Sequence, residues 1–434
     1  MKIVLKKEKK MGKIKTNYIL SLLIALSMLC YALRGNLGAI LITLLNLILL
    51  VYLVKKIKIK KSFSNYYALF IFIFAFILGV IRTNHFEYYL FIGYLTAVLV
   101  LLNNNLNIYD SIWSILGKIS LFEAIGVFIQ RLFPKLYYSL ISMVLPSSVV
   151  FSIENRLVEG YYTGFTREVS YTMFLIVIGL GIYLFDILKK DTDVDELKYK
   201  VKKYLKLVIL FGALFISGKK AALLVFLIVV FAIQFIKSKA PFKLVKYVLI
   251  GFGGLIFLYL TFPIWSKINS LSRIVELLNF IKDKNVIGIT NGRILIYQNA
   301  IDLWKGNKLF GIGWGNFKYM VNDTLWYSGF DVHNCYLQIL CETGLIGATI
   351  FCVLTVISVF RFVKCVKKAK LCEDKFSYKL SIIVAYIQMF FIIYSFTEPI
   401  LYEYTDYIIY FISINITNIL LSELEVKKRK KIKF

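Results

Sequence analysis

The sequence has few of the residues that build metal centres and disulfide frameworks. Only two histidines occur in 434 residues, His85 and His333. The six cysteines form no CxxC pair and no Cys/His cluster with zinc spacing. No cluster of acidic residues demands a metal ion either. The sequence therefore predicts no metal, no cofactor and no disulfide framework.

Charged residues are also scarce, at 18% of the chain, whereas hydrophobic residues make up 59% and the mean hydropathy is +0.73. Apolar runs of about 20 residues recur from end to end, and each can cross a hydrocarbon core of roughly 30 Å. A soluble domain could not bury so much apolar surface. Helices satisfy their own backbone groups in lipid, so we expect one all-α, polytopic membrane domain over residues 1–434.

The apolar runs predict about twelve transmembrane helices. They lie near 17–34, 36–54, 63–81, 87–102, 111–133, 168–188, 204–217, 220–236, 243–262, 344–363, 378–396 and 404–422. The basic segment 1–16 precedes the first run, and no small-residue cleavage site follows it, which favours a retained first span. The break between the seventh and eighth runs is predicted at residues 217–220.

Acidic residues are outnumbered, 25 against 53 Lys and Arg, which gives a net charge of +28. Such an excess could indicate nucleic acid as a partner. Most of the basic residues, however, lie in short clusters between alternate apolar runs, as the positive-inside rule requires. This pattern predicts that both termini are cytoplasmic and that no nucleic acid is bound.

Two long loops then fall outside the membrane, at about 134–167 and at 263–343 between spans nine and ten. A long ordered loop usually carries function, although a tolerated insertion is the alternative. Within the second loop, 270–283 is predicted as an amphipathic helix. A further helix is predicted from Arg293 to Trp304, with Asn291 as its N-cap and Gly306 as its stop. Residues 311–315 resemble a nucleotide loop, but no strand precedes them, and a tight turn is the better prediction.

Cations recur around these loops. Arg293 would lie in the first turn of a helix, where a bound anion would offset its unfavourable interaction with the helix dipole. An exposed Arg without a role is the alternative. Ionisable residues at span ends are costly unless they are paired or used, although each could extend its charge to solvent. Taken together, they indicate a site for a phosphate-rich ligand. The further cations are Arg156, Arg167, Lys219 and Lys220.

His333 is the candidate general base. Imidazole exchanges protons readily near neutral pH, and this histidine lies at the end of the long outside loop. A structural role, such as capping the helix predicted to start at Asn334, is the alternative. His85 lies in a short outside turn and is expected to be structural.

Several segments resemble the O-antigen polymerase/ligase family. The most specific is 333–347, with the pattern His-Asn…Glu-x-Gly-x-x-Gly, preceded by 311–317. Gly292-Arg293, residues 216–221 and residues 160–170 fit weaker parts of the same pattern, and the late outside loop agrees with the family's topology. The family's usual Arg appears here as Lys220, which keeps the charge but loses bidentate geometry.

The resemblance implies glycosyl transfer without metal at the outer face of a bacterial cytoplasmic membrane. The donor would be a glycan on undecaprenyl pyrophosphate, and the acceptor would be a hydroxyl of another lipid-linked glycan. His333 would take the acceptor's proton, and Arg293 would stabilise the leaving pyrophosphate. The residues expected to bind pyrophosphate or glycan are Arg156, Arg167, Lys219, Lys220, Glu168, Asn334 and Glu342.

Three functions stay open at this point. A polymerase of repeat units for O-antigen, capsule or exopolysaccharide is preferred over a ligase that transfers a finished glycan to lipid or protein. A flippase or carrier without chemistry is the third, and the absence of two similar halves lowers its standing. Lipid-linked glycans and membrane lipids are the expected partners, with a flippase and a chain-length regulator as further candidates.

Overall fold

The architecture is all-α. The computed structural model describes residues 18–19, 21–28, 36–56, 62–82, 88–103, 111–166, 168–188, 196–238, 283, 292–321, 330–372 and 374–432, and no strand occurs within these ranges. The helices are α1 (Asn36–Lys56), α2 (Ser64–Ile71), a π-helical segment (Phe72–Leu78), α3 (Gly79–Arg82), α4 (Tyr88–Leu102), α5 (Ile112–Leu132), α6 (Pro134–Val144), α7 (Ser147–Val158), α8 (Val169–Leu184), α9 (Glu196–Ile216), α10 (Lys220–Lys237), α11 (Arg293–Gly306), α12 (Phe317–Met320), α13 (Cys335–Leu371), α14 (Lys375–Tyr394), a 3-10 turn (Ile400–Tyr402) and α15 (Tyr404–Ile432). The prediction of an all-α fold is therefore confirmed.

Five of these helices are long and apolar enough to cross a membrane. They are α5, α10, α13, α14 and, within α15, Tyr404–Val426. Shorter apolar helices lie at Thr43–Val54, Ser64–Leu78, Ile92–Leu102 and Val169–Leu184. The chain is thus an integral membrane protein, while the number of twelve spans, the orientation of the termini and the outside position of 263–343 stay predictions. The predicted span 243–262, His85 and the predicted helix 270–283, apart from Asp283, lie outside the described residues.

Helix α15 is buried along most of its length and packs against α4, α13 and α14. Several of its polar side chains bind to neighbouring helices, because a polar group that faces lipid or a dry interior needs a partner. The Tyr404 hydroxyl lies 2.6 Å from Asn46 Oδ1, and Asn415 Nδ2 donates to the Val100 carbonyl at 2.8 Å. These bonds fix how α1 and α4 meet the end of the chain.

The chain leaves helical geometry between α9 and α10, as predicted. Gly218 adopts φ 79°, and a Cβ there would meet the Gly160 carbonyl oxygen at 2.7 Å. The Tyr162 N–H donates to the Ser217 carbonyl at 3.1 Å. The short turn 217–219 is therefore joined to the loop that follows α7, and both lie next to the start of α8.

Helix α13 is kinked at Gly344, where φ is 67°. The kink frees carbonyls that the loop after α11 uses: Ile312 N–H donates to Cys341 O at 3.0 Å, and Gly313 N–H donates to Glu342 O at 2.9 Å. A Cβ at Gly344 would overlap the backbone of Leu309. The tight turn predicted at 311–315 is confirmed, and its glycines allow it to lie against the kink.

Candidate functional site

Four segments that are distant in sequence meet at the carboxyl group of Glu398. This residue lies in the connection between α14 and α15, and its side chain is only 3% exposed. Lys219 Nζ lies 2.6 Å from its Oε1, and Arg293 Nη2 lies 3.4 Å from the same atom. His333 Nδ1 lies 3.7 Å from Oε2, and the Ser170 hydroxyl donates to Oε2 at 3.1 Å. We call Glu398, Lys219, Arg293 and His333 the Glu398 cluster.

Backbone geometry places the two cations. Lys219 follows Gly218 in the turn before α10, where the Ser217 hydroxyl accepts a hydrogen bond from the Lys219 N–H at 3.2 Å. Arg293 is the first residue of α11, after Gly292 at φ 74°. Its Nη1 also donates to the Thr397 carbonyl at 3.0 Å, so its guanidinium contacts both the backbone of Thr397 and the carboxylate of Glu398.

The start of α11 differs in one detail from the prediction. Gly292 occupies the N-cap position, and as a glycine it has no side chain to cap the helix. Asn291, which was predicted as the cap, lies outside the described residues. The predicted end at Gly306 is confirmed.

His333 lies two residues before the start of α13, in a left-handed backbone conformation with φ 55°. The N-cap of α13 is Asn334, whose Oδ1 accepts from the Leu337 N–H at 3.0 Å. The alternative in which the His333 side chain caps this helix is therefore wrong. The His333 carbonyl lies 3.5 Å from the Tyr297 hydroxyl on α11, and its imidazole lies on the Glu398 side.

The electrostatics of the cluster are set by a buried carboxylate. Burial alone would raise the pKa of Glu398, but Lys219, His333 and Arg293 together hold that pKa well below its usual range. Lys219 is 12% exposed and Arg293 28% exposed. Lys219 is therefore the more buried counterion of Glu398, whereas part of the Arg293 guanidinium stays exposed and could contact a ligand.

Two predicted residues pair with each other. Arg156 Nη2 lies 3.3 Å from Glu168 Oε2, and Arg156 Nη1 lies 3.1 Å from Glu159 Oε2. Glu168 is the residue before α8, two positions ahead of Ser170. The pair therefore adjoins the Glu398 cluster through the start of α8. Lys220 begins α10, next to Lys219, and Arg167 lies outside the described residues.

Glu342 is built into the fold. Its buried carboxylate accepts from the Gly315 N–H at 2.7 Å, from the Phe317 N–H at 3.1 Å and from Gln338 Nε2 at 3.3 Å. Together with the kink at Gly344, these bonds fasten the 311–317 turn to α13. These bonds give Glu342 a structural role that needs no substrate, as the capping bond does for Asn334. A role for either residue in substrate binding stays a prediction.

Sequence reasoning missed Glu398. It follows an apolar helix and precedes Pro399, and no recognised motif contains it. The available signal was an acidic side chain at the end of a predicted span, where an ionisable residue is costly unless paired. Among the described residues, no group of three or more His, Cys, Asp or Glu is arranged to hold a metal ion.

Comparison with known proteins bears on three of the four cluster residues. A family model described as O-antigen ligase matches residues 205–352, which include Lys219, Arg293 and His333 but not Glu398. A search of curated proteins found no match. The resemblance inferred from the sequence is confirmed: over residues 205–352, which are less than half of the chain, the sequence is similar to the family described as O-antigen ligase.

Proposed function

We propose that the Glu398 cluster catalyses glycosyl transfer at the outer face of a bacterial cytoplasmic membrane, joining lipid-linked oligosaccharide repeat units into a polymer. One observation carries this proposal: two cations and a histidine from separate elements converge on a buried carboxylate inside and beside the O-antigen ligase match. The donor would be a glycan on undecaprenyl pyrophosphate. Glycan transfer of the ligase or polymerase type is the coarser conclusion that the family match supports.

The cations suit a leaving pyrophosphate. Arg293 is partly open, lies at the start of α11 and presents a planar guanidinium that can bind two phosphate oxygens at once. The helix dipole adds partial positive charge at the same point. With the imidazole neutral, the cluster carries two positive charges and one negative charge. It therefore attracts an anion while Glu398 keeps the resting charge low.

His333 suits the role of general base. His333 Nδ1 lies 3.7 Å from Glu398 Oε2, too far for a direct hydrogen bond, so the carboxylate acts on the imidazole through its charge. In the proposed reaction this charge would favour the tautomer with the proton on Nδ1, which leaves Nε2 able to accept another proton. The acceptor hydroxyl would give its proton to Nε2, and its oxygen would bond to the anomeric carbon of the donor. The bond from that carbon to the pyrophosphate oxygen would break, and the pyrophosphate would leave with the electron pair. A positioned base contributes about a hundred- to ten-thousandfold to such a step.

A ligase is the second candidate, because the matching family model is described by that activity. Both reactions use the same donor chemistry and differ in the acceptor: another lipid-linked repeat unit for a polymerase, or a different lipid or a protein for a ligase. A carrier without chemistry would have no use for a base beside two phosphate-binding cations. A flippase that supplies the donor and a chain-length regulator are the partners proposed with the polymerase.

The test is His333→Asn in purified protein supplied with a lipid-linked repeat unit. Asn tolerates the left-handed backbone at this position, so the fold should be kept. We expect product to fall by about a hundredfold or more, with normal protein abundance. His85→Asn is the matched control and should leave the product unchanged. A normal distribution of glycan lengths from His333→Asn would refute the role of His333 as general base. Product formed only when a different lipid or a protein is supplied as acceptor would favour the ligase.

A further inference from the structure

Helix α6 carries three parallel stripes of side chains. The first, Tyr137 and Ile141, is buried. The second is exposed and polar, and consists of Lys135, Ser139 and Ser142. The third is exposed and apolar: Leu136 is 54% exposed, Leu140 43% and Met143 78%. Positions i, i+4 and i+7 fall on one face of a helix, so each stripe is continuous along α6.

The buried stripe fixes how α6 is turned. Tyr137 and Ile141 pack with Val149 and Ile153 of α7 in a small apolar core separate from the main one. The Tyr137 hydroxyl also donates to the Gly164 carbonyl in the loop that follows α7. Because these contacts hold one face of α6 against α7, the apolar stripe cannot rotate inward. Large apolar side chains that stay exposed on one face indicate a contact surface.

The surface next to the stripe indicates what covers it. Helix α5 is long and apolar enough to span a membrane, and its exposed side chains include Phe122 and Ile125. Leu132, at the end of α5, and Phe133, at the junction with α6, are also exposed. Leu132 and Phe133 thus connect the exposed apolar side chains of α5 to the apolar stripe of α6 along the chain, and the polar stripe lies beside the apolar one as in an interfacial helix.

We propose that α6 lies in the membrane interface, with Leu136, Leu140 and Met143 inserted among the acyl chains of the leaflet and Lys135 turned to the headgroups. This surface sets the depth of the catalytic region. Helix α7 carries Arg156, which pairs with Glu168 at the start of α8, and Ser170 in the first turn of α8 bonds to Glu398. An anchored α6 therefore holds the Glu398 cluster at a constant height relative to lipid phosphates.

The test compares two neighbouring residues on different stripes, Met143→Cys and Ser142→Cys. Each variant carries a nitroxide label in vesicles of phosphatidylethanolamine and phosphatidylglycerol, with Cys30, Cys352 and Cys372 changed to Ser. The remaining cysteines, Cys335, Cys341 and Cys365, are buried. Electron paramagnetic resonance then measures collisions with oxygen, which dissolves in acyl chains, and with a nickel chelate, which stays in water.

We expect the label at Met143 to collide several-fold more with oxygen than with the chelate, and the label at Ser142 to show the reverse. Equal access of the chelate to both labels would place the stripe in water and overturn the proposal. Shielding of the Met143 label from both reagents would show a second copy of the chain on this face and would overturn it as well. The pattern should persist in His333→Asn protein, so this result is independent of the proposed function.

Discussion

Changing Glu398 to Gln removes the charge on which the cluster converges while keeping the shape of the side chain. Lys219 Nζ, 2.6 Å away and 12% exposed, would then be a largely buried cation without its counterion. Removing one partner of a buried ion pair costs about 3–5 kcal/mol, because the remaining charge is not solvated. We therefore expect Glu398→Gln to lower the thermal unfolding temperature and to abolish glycan transfer together.

A second substitution separates the two effects. Lys219→Met in the Glu398→Gln background removes the orphaned charge and should restore most of the lost stability. Transfer should stay reduced by about a hundredfold or more, because the imidazole of His333 has still lost the carboxylate that would select its tautomer in the proposed reaction. The measurements are thermal unfolding of purified protein in detergent and product formation from a lipid-linked repeat unit.

Asp302→Asn is the matched control for stability. It breaks the pair between Asp302 and Lys305, which lie 2.9 Å apart, but both side chains are well exposed, and exposed pairs contribute little. Unfolding of this variant should match the unchanged protein. Recovery of full transfer in the double variant would refute the reasoning, since Glu398 would then serve only to neutralise Lys219.

Three further outcomes are expected. Arg293→Lys should reduce product nearly as much as Arg293→Ala, because Lys cannot bind two phosphate oxygens in parallel; a normal distribution of glycan lengths in Arg293→Ala would remove this residue from the site. Gly344→Ala should lower the free energy of unfolding by at least about 2 kcal/mol, because φ is 67° and the new Cβ would meet the Leu309 backbone. Gly306 has open space around it, so Gly306→Ala should leave the free energy of unfolding nearly unchanged in the same assay. The pKa of Glu398 is lowered in the folded protein, so its ionised carboxylate stabilises the fold above the usual carboxyl pKa, and this contribution is lost as the pH falls through the lowered value. Below about pH 4, the free energy of unfolding should therefore decrease more steeply with falling pH for the unchanged protein than for the variant that combines Glu398→Gln with Lys219→Met. Parallel curves for the two proteins would contradict this expectation.

The sequence was sufficient for features set by local chemistry. The helical spacing of apolar residues and the positions of glycines were enough to predict α11, the turn at 311–315 and the break before α10. The same local signals, with the family pattern, selected Lys219, Arg293 and His333. These residues come together through tertiary packing, but each one is conspicuous in its own segment.

Pairing between distant segments could not be obtained this way. Glu398 lies in no motif, and only the packing of α14 and α15 brings it to Lys219 and Arg293. Glu342 shows the opposite case. Its place in the motif suggested a role in substrate binding, but its carboxylate accepts hydrogen bonds from the N–H groups of Gly315 and Phe317, and these contacts form only when the loop is folded against α13.

The buried position of Glu398 has a consequence for turnover. Arg293 already has a carboxylate partner in this structure, so in the proposed reaction the phosphate oxygens of the donor would compete with Glu398 for the same guanidinium. This competition would weaken the binding of substrate and leaving group alike, and uniformly tight binding would not raise the catalytic rate. After the pyrophosphate had left the sugar, Arg293 could return to Glu398, and the lipid carrier would dissociate without leaving an unpaired cation. The resting ion pair would thus favour release of the product.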